Sequence, residues 1–276
     1  MGPTVDKRKN PKSKFQISKL IKVWVMVSLR AAQSQLLTSW AGILFLIGKI
    51  VRFLLFFVFL FAVLGSAKNL AGYNPQQVIL FFLVFNLVDI SIQFLFRGVY
   101  QFRPLVVSGN YDLDLLKPLP SFFRPIFGWT DILDFFTLIP LWIYFLWFGF
   151  SQGIFKLGNF FLFLALFTSS LVLGFAFHLF VCAVCVLTTE IDHLVWVYRD
   201  LTNMARFPTD IYQRGIRLIL TFTIPVVILI TIPAKALMGI LSWQGALGSF
   251  FISGLFLWFS LKFWHYALSQ YSSASS

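Results

Sequence analysis

The sequence predicts an all-α integral membrane protein with six transmembrane helices, an N-terminal amphipathic interfacial helix, and a re-entrant outer turn between helices five and six. Three observations predict it. Hydrophobic residues make up 59% of the 276 residues and charged residues only 12%, about half the charged share of a soluble domain, so too little polar surface exists to cover a core in water. Several sparsely charged runs reach the length a helix needs to cross the hydrocarbon layer, about 17–25 residues. The cations are also unevenly spread: with both termini in the cytoplasm, 19 of the 22 Lys and Arg fall in cytoplasmic segments, against Lys68, Lys156 and Lys235 outside, the bias that sets membrane orientation. That bias accounts for the net charge of +12 without a nucleic-acid partner.

Residues 1–14 are polar and basic and are expected to be disordered. Residues 15–38 read as an amphipathic helix on the cytoplasmic face. Ile17, Leu20, Ile21, Trp24, Val25 and Ala32 recur at three- and four-residue steps, with Lys14, Ser18, Lys19, Lys22, Arg30 and Gln33 between them. A signal peptide fits less well, because the apolar run Val23–Leu29 is short and Arg30 closes it without a small-residue cleavage site. A single transmembrane domain, 39–268, follows. Its first crossing, about 41–67, contains Lys49 and Arg52. A charge at mid-bilayer costs about 2.5–3.5 kcal/mol, so both fit best near the cytoplasmic end with their heads snorkelling to the headgroups.

The second and third crossings, 77–96 and 132–150, begin after Asn74-Pro75 and Trp129-Thr130-Asp131. The fourth, 157–189, carries no formal charge for 33 residues and must tilt, kink or project from the bilayer. Segment 190–217 is too charged to span and reads as a cytoplasmic extension with helical spacing at Leu194, Val197 and Leu201. The fifth crossing, 218–233, is interrupted by Pro225 and closed by Pro233, and the Gly-containing stretch to Leu247 is too short to cross, hence the outer turn. The sixth crossing is 247–265, and 269–276 is a Ser-rich tail.

No catalytic motif is present. The pair Gly48-Lys49 lacks the upstream glycine and the following Ser or Thr of a phosphate-binding loop, and neither His-Glu-x-x-His nor Gly-x-Ser-x-Gly occurs. The chain is expected to be no enzyme and to hold no cofactor. His178, Cys182 and Cys185 share a helix face at spacings of four and three. These are zinc or copper ligand types, but also ordinary packing residues between membrane helices; with no fourth ligand, no metal is expected. Asp89, within the second crossing, is a candidate intramembrane polar site, suited to a proton relay or to pairing with a buried cation. Asp131 and Asp134 suit a helix N-terminus at the interface.

The loop 97–130 is long for a connection between membrane helices. Leu113, Leu115, Leu116, Leu119, Phe122 and Phe123 need cover, either from a protein partner or from the chain's own helices. Ser108-Gly109-Asn110 reads as a turn, and Pro118 and Pro120 stop the short element Tyr111–Leu116.

Within that loop, Val107-Ser108-Gly109-Asn110-Tyr111-Asp112-Leu113-Asp114-Leu115-Leu116-Lys117-Pro118-Leu119 resembles the Ser-Gly-x-x-Asp-x-x-Leu-x-[Arg/Lys]-Pro-Leu signature of bacterial ABC-2-type transporter permeases, in the branch with a six-helix membrane subunit and a separate ATPase. Phe207-Pro208-Thr209-Asp210-Ile211-Tyr212, Leu220-Thr221-Phe222-Thr223-Ile224-Pro225, Ile232-Pro233-Ala234 and Leu237-Met238-Gly239 are similar to that branch's pattern around the fifth crossing and outer turn, and Ala71-Gly72-Tyr73-Asn74 is a weaker likeness. Ile230-Thr231-Ile232 departs from it, since relatives often carry aromatic residues there.

The resemblance implies a bacterial cytoplasmic-membrane permease subunit of an exporter. It would pair with a second copy or a paralogue, as a homo- or heterodimer, over ABC ATP-binding subunits that hold the ATP and Mg. It also implies that Ser108, Gly109, Tyr111, Asp112, Leu113, Leu115, Leu116, Lys117, Pro118 and Leu119, with Ile17, Ile21 and Trp24 of the amphipathic helix, couple the ATPase to the membrane helices. The alternative is a secondary transporter driven by an ion gradient through Asp89. The 36 phenylalanines suit an amphipathic drug, pigment or lipid better than a small ion.

Overall fold

The computed structural model describes residues 17–37, 39–66, 72–189, 192–222 and 225–272. The basic N-terminus 1–14, the last four residues of the tail, and Ala71 and Thr223-Ile224 of the motifs above lie outside them. The described chain is built on helices. α1 (Ile17–Leu37) and α2 (Ser39–Ser66) precede α3 (Pro75–Phe96). α3 starts on a capping box: the Asn74 side chain accepts the Gln77 amide, and the Gln77 side chain accepts that of Asn74. Pro75 occupies the first turn, where no donor is needed.

α3 continues with only a short break into α4 (Val99–Val107), making one apolar helical stretch of 33 residues. Three short elements fill the loop: α4 itself, α5 (Asn110–Leu115) and α6 (Phe123–Phe127). α7 (Ile132–Ser151) starts at Asp131, whose side chain accepts the Leu133 amide. α8 (Leu157–Thr188) is the long uncharged helix. α9 (Asp192–Met204), α10 (Arg214–Phe222), a π-helical turn (Val227–Thr231), α11 (Ile232–Leu237) and α12 (Trp243–Gln270) complete the chain. Four stretches among the described residues, Pro75–Val107, α7, α8 and α12, are long and apolar enough to cross a membrane.

α8 is the hub. It lies along α12 and against α3, α4, α6 and α11. Ser170, Gly174, Ala176 and Ala183 are small and sit on its buried side, and Ser169 Oγ donates to Ser253 Oγ of α12 at 2.9 Å. Small residues and hydroxyl pairs let helices approach where lipid supplies no hydrophobic drive between them. Another small residue, Gly98, lets the loop close on α3. Its amide donates to the Ile126 carbonyl at 3.1 Å, and a Cβ there would lie 2.7 Å from the Ile126 and Pro125 carbonyl oxygens. Gly98→Ala is therefore expected to destabilise the chain by about 1–3 kcal/mol, read as a lower unfolding midpoint in detergent.

Contacts sort the molecule into two ends. At one, Gln76 Nε2 donates to Gln152 Oε1 at 2.7 Å, and Gly239 meets Asn159. At the other, Arg103 Nε donates to the Thr189 carbonyl at 2.9 Å, and Tyr111 packs on Tyr271. Asp210 belongs to the first end. It accepts the Tyr73 hydroxyl at 2.6 Å and pairs with Lys235 at 2.8 Å and Arg217 at 2.9 Å.

The path of the chain departs from two expectations. Segment 190–217 is not a one-sided extension: from Thr189 it climbs past Phe177 and His178 at Tyr198 and reaches the Tyr73 end at Asp210. Among the described residues, 218–233 form no helix of span length either. Arg217 and Lys235 meet the same carboxylate, so the chain between them leaves one end and returns to it. In place of the turn expected at 233–247, the chain folds back between Arg217 and Lys235, with the π-helical turn and α11 packed on α3 and α8. Pro233 does not close it, because it sits in the first turn of α11, where a proline fits, and the helical path runs on until Gly239 turns it at φ +69°.

A candidate coupling surface and a charged cavity

The residues 108–119 form one exposed element with a buried anchor. Gly109 has φ +72° and precedes α5, a left-handed conformation that glycine adopts without strain. Ser108 Oγ accepts from the Asn110 side chain at 2.8 Å, tightening the turn. Tyr111 is fully buried. Its ring meets Phe102 edge-on at 5.0 Å and Tyr271 at 5.6 Å, and its hydroxyl donates to the Ser121 carbonyl at 3.1 Å. Trp264 Nε1 of α12 donates to Ser121 Oγ at 3.0 Å, so α5, the following loop and the last long helix share one aromatic joint. Asp112 takes a hydrogen bond with Tyr271; burial and this bond push the Tyr271 hydroxyl up to about 12. Asp114 holds Lys117 at 2.6 Å.

Around that anchor the outward side is apolar. Leu116 is 83% exposed, Leu113 60% and Leu115 39%. Pro118 is exposed and Leu119 half-buried. Of the aromatic pair that needed cover, Phe123 is buried and Phe122 packs on Phe175.

α1 lies at the same end but packs on α2 and α7. Ser28 Oγ is 2.8 Å from Thr130 Oγ1, and Gln35 Nε2 donates to the Thr130 carbonyl at 2.9 Å. Ile17 and Ile21 are exposed, whereas Trp24 turns inward onto Phe94 at 6.0 Å. The candidate coupling residues thus occupy two elements, each docked separately on the bundle.

Lys49 finds its partners within the protein. Its ammonium lies 2.6 Å from Asp134 and 3.2 Å from Asp131, and Arg97 pairs with the same two carboxylates at 3.3 and 3.2 Å. A four-charge cluster therefore ties α2 to α3 and α7, which cheapens burial of each member.

Beside this cluster, a cavity of about 970 Å³ lies between α2, α3, α7 and the segment from α9 to Arg206. α3 contributes Asn86, Asp89, Gln93 and Arg97 at steps of three, four and four, which puts them on one helix face. Arg199 and Arg206 face them. Asp89 therefore lies on a cavity wall among cations, not alone in lipid. The polar stripe on α3 and the Arg199–Arg206 spacing were visible in the sequence but masked by the apolar residues on the other faces.

His178 Nδ1 lies 2.8 Å from the Gly174 carbonyl, its ring packs on Phe96 and Tyr198, and Cys182 and Cys185 are buried free thiols. Among the described residues, no group of three His, Cys, Asp or Glu is placed to hold a metal ion.

A family model described as "ABC-2 family transporter protein" matches residues 47–275. No curated protein and no solved structure matches the chain.

Proposed function

The chain belongs to the ABC-2 family of transporter proteins, a permease component of ABC transport rather than its catalyst, and on that premise we propose that it forms the substrate path of an exporter driven by a separate ABC ATPase. The observation that carries this reading is the apolar, outward-facing Leu113, Leu115 and Leu116 held on the buried Tyr111 anchor, the kind of surface a protein partner covers. Ser108–Leu119, with Ile17, Ile21 and Trp24, receives the closure of the ATP-bound partner. The joint at Ser121 passes it to α12. ATP and Mg stay in the partner, which prefers one of two membrane conformations and so shifts their populations. A second copy or a paralogue completes the path in the bacterial cytoplasmic membrane.

The proposed topology keeps six crossings and cytoplasmic termini, but the fifth crossing is 192–211, and 214–237 is the re-entrant outer element. The others are α2, α3 with α4, α7, α8 and α12. Two observations support it: Asp210 sits with Tyr73 and Lys235, and Arg199 and Arg206 face a cavity instead of lipid, where their charge is tolerable. Fifteen of the 22 cations still fall inside, so the orientation bias survives.

Cysteines introduced at Gln76 and Ile211 are expected to react with a membrane-impermeant thiol reagent added from the same side of the membrane, and one at Leu116 from the other. Labelling of Ile211→Cys from the Leu116 side contradicts the topology. Co-expressed with its ABC ATPase, the chain is expected to co-purify with it and to transport only with ATP. Transport by the chain alone on a proton or sodium gradient would instead support the Asp89 reading.

A further inference from the structure

We propose that the cavity beside α3 binds an anionic amphiphile, with an oxyanion head against Arg199 and Arg206 and an apolar body against Leu54, Leu55 and Phe136. This rests on the permease reading and names the class of molecule that the site takes.

The volume of about 970 Å³ is at the upper end of pockets that enclose drug-sized molecules. On α3 the wall runs from Phe82 to Arg97, about 22 Å at the rise of an α-helix, which is long enough for an extended alkyl chain. Its chemistry is divided. α2 and α7 contribute mainly aliphatic and aromatic side chains apart from Lys49 and Asp134, while the other charges come from Asp89 of α3, Arg97 at its C-cap, Arg199 of α9 and Arg206 just after it.

The sign of the charge decides the head group. Lys49, Arg97, Arg199 and Arg206 line the cavity against Asp89 and Asp134. Adding Asp131, which pairs with Lys49 and Arg97, still leaves the described cations ahead by four to three. Asp131 and Asp134 are bound into the cluster with Lys49 and Arg97, which leaves Arg199 and Arg206 against Asp89, a net excess of one positive charge on that wall. Guanidinium groups present paired donors that match phosphate, sulfonate and carboxylate oxygens. Cations within a membrane bundle are expensive and mark the path of a charged substrate. A cationic amphiphile would meet like charge, and a bare inorganic ion would leave most of the wall unused.

The test uses the purified full-length chain in nonionic detergent and four probes of one chain length: hexadecyl phosphate, hexadecane sulfonate, hexadecanol and hexadecyltrimethylammonium. Affinity is read from concentration-dependent thermal stabilisation. Both anions are expected to bind about tenfold or more tightly than the alcohol, and the ammonium more weakly than the alcohol. In Arg199→Gln/Arg206→Gln the anions should fall to the level of the alcohol, whose own binding is unchanged and reports an intact cavity. If that variant fails to fold, Asn86→Asp, which adds a carboxylate to the wall, should weaken the anions alone.

A phosphate preference over sulfonate points to a phosphorylated lipid-like molecule, and parity to oxyanions in general; both support the site. Equal binding of anion and alcohol, tighter binding of the ammonium, or anion binding unchanged in the variants overturns it. None of those outcomes touches the permease reading, which is tested separately by co-purification with the ATPase.

Discussion

In a Leu116→Asp variant, the ABC ATPase is expected to be lost from the purified complex while the chain still inserts and folds. Leu116 is 83% exposed and makes little contact in the free chain, so the substitution should cost the fold no more than about 0.5 kcal/mol. At the centre of an apolar interface the same change buries a carboxylate without a partner. A central residue of this kind is worth about 2 kcal/mol or more, which is roughly thirtyfold in affinity. Gly109→Pro is expected to have the same outcome by another route. Proline holds φ near −65°, Gly109 sits at +72°, and α5 cannot keep its present direction. If either variant co-purifies with the ATPase at the native ratio and transports normally, this surface is not the coupling site.

Asp134→Ala is expected to be the most damaging single change to stability. Its carboxylate is 2.6 Å from Lys49 and 3.3 Å from Arg97, and only 8% of the side chain is exposed. Removing one partner from a buried ionic cluster costs about 3–5 kcal/mol, because the remaining charges keep their desolvation. Here Asp131 retains contacts to both cations, so the lower end of that range is expected. A second substitution, Lys49→Met, removes one of the uncompensated charges and should restore part of the loss. Thermal unfolding of the two single variants and the double variant measures the coupling. Simple additivity would mean that the cluster does not act as a unit.

Much of the fold was legible because the signal was one-dimensional. The runs that became α7, α8 and α12 are apolar on every side, and hydropathy finds such helices whatever they pack against. The segment 192–211 escaped for the opposite reason. Arg199, Asp200 and Arg206 lower its mean hydropathy, although Val195, Tyr198, Thr202 and Ala205 are buried and both arginines face a cavity. Pro225 and Pro233 misled in the other direction. Each marks a local adjustment in a path that returns to its starting end, and only the shared carboxylate of Asp210 reveals the return.

The candidate site was legible to the same extent. The Ser108–Leu119 motif stood out as a string of residues, and Gly109 supplies the positive φ that the turn needs. Its anchorage was not legible, because Phe102, Ser121, Trp264 and Tyr271 are far apart in sequence. The same holds for Lys49 and Asp134, which lie 85 positions apart. Asp210 was similarly silent. Its partners Tyr73, Arg217 and Lys235 come from three separate parts of the chain.

The most direct measurement is site-specific photo-crosslinking in the intact membrane, from a photoreactive residue at position 116 and, separately, at position 243, which lies exposed at the opposite end of α12. Capture of an ABC ATP-binding subunit from position 116 and none from position 243 is the expected result. No ATPase at position 116, or capture from position 243 instead, would contradict the placement of the motor on this face.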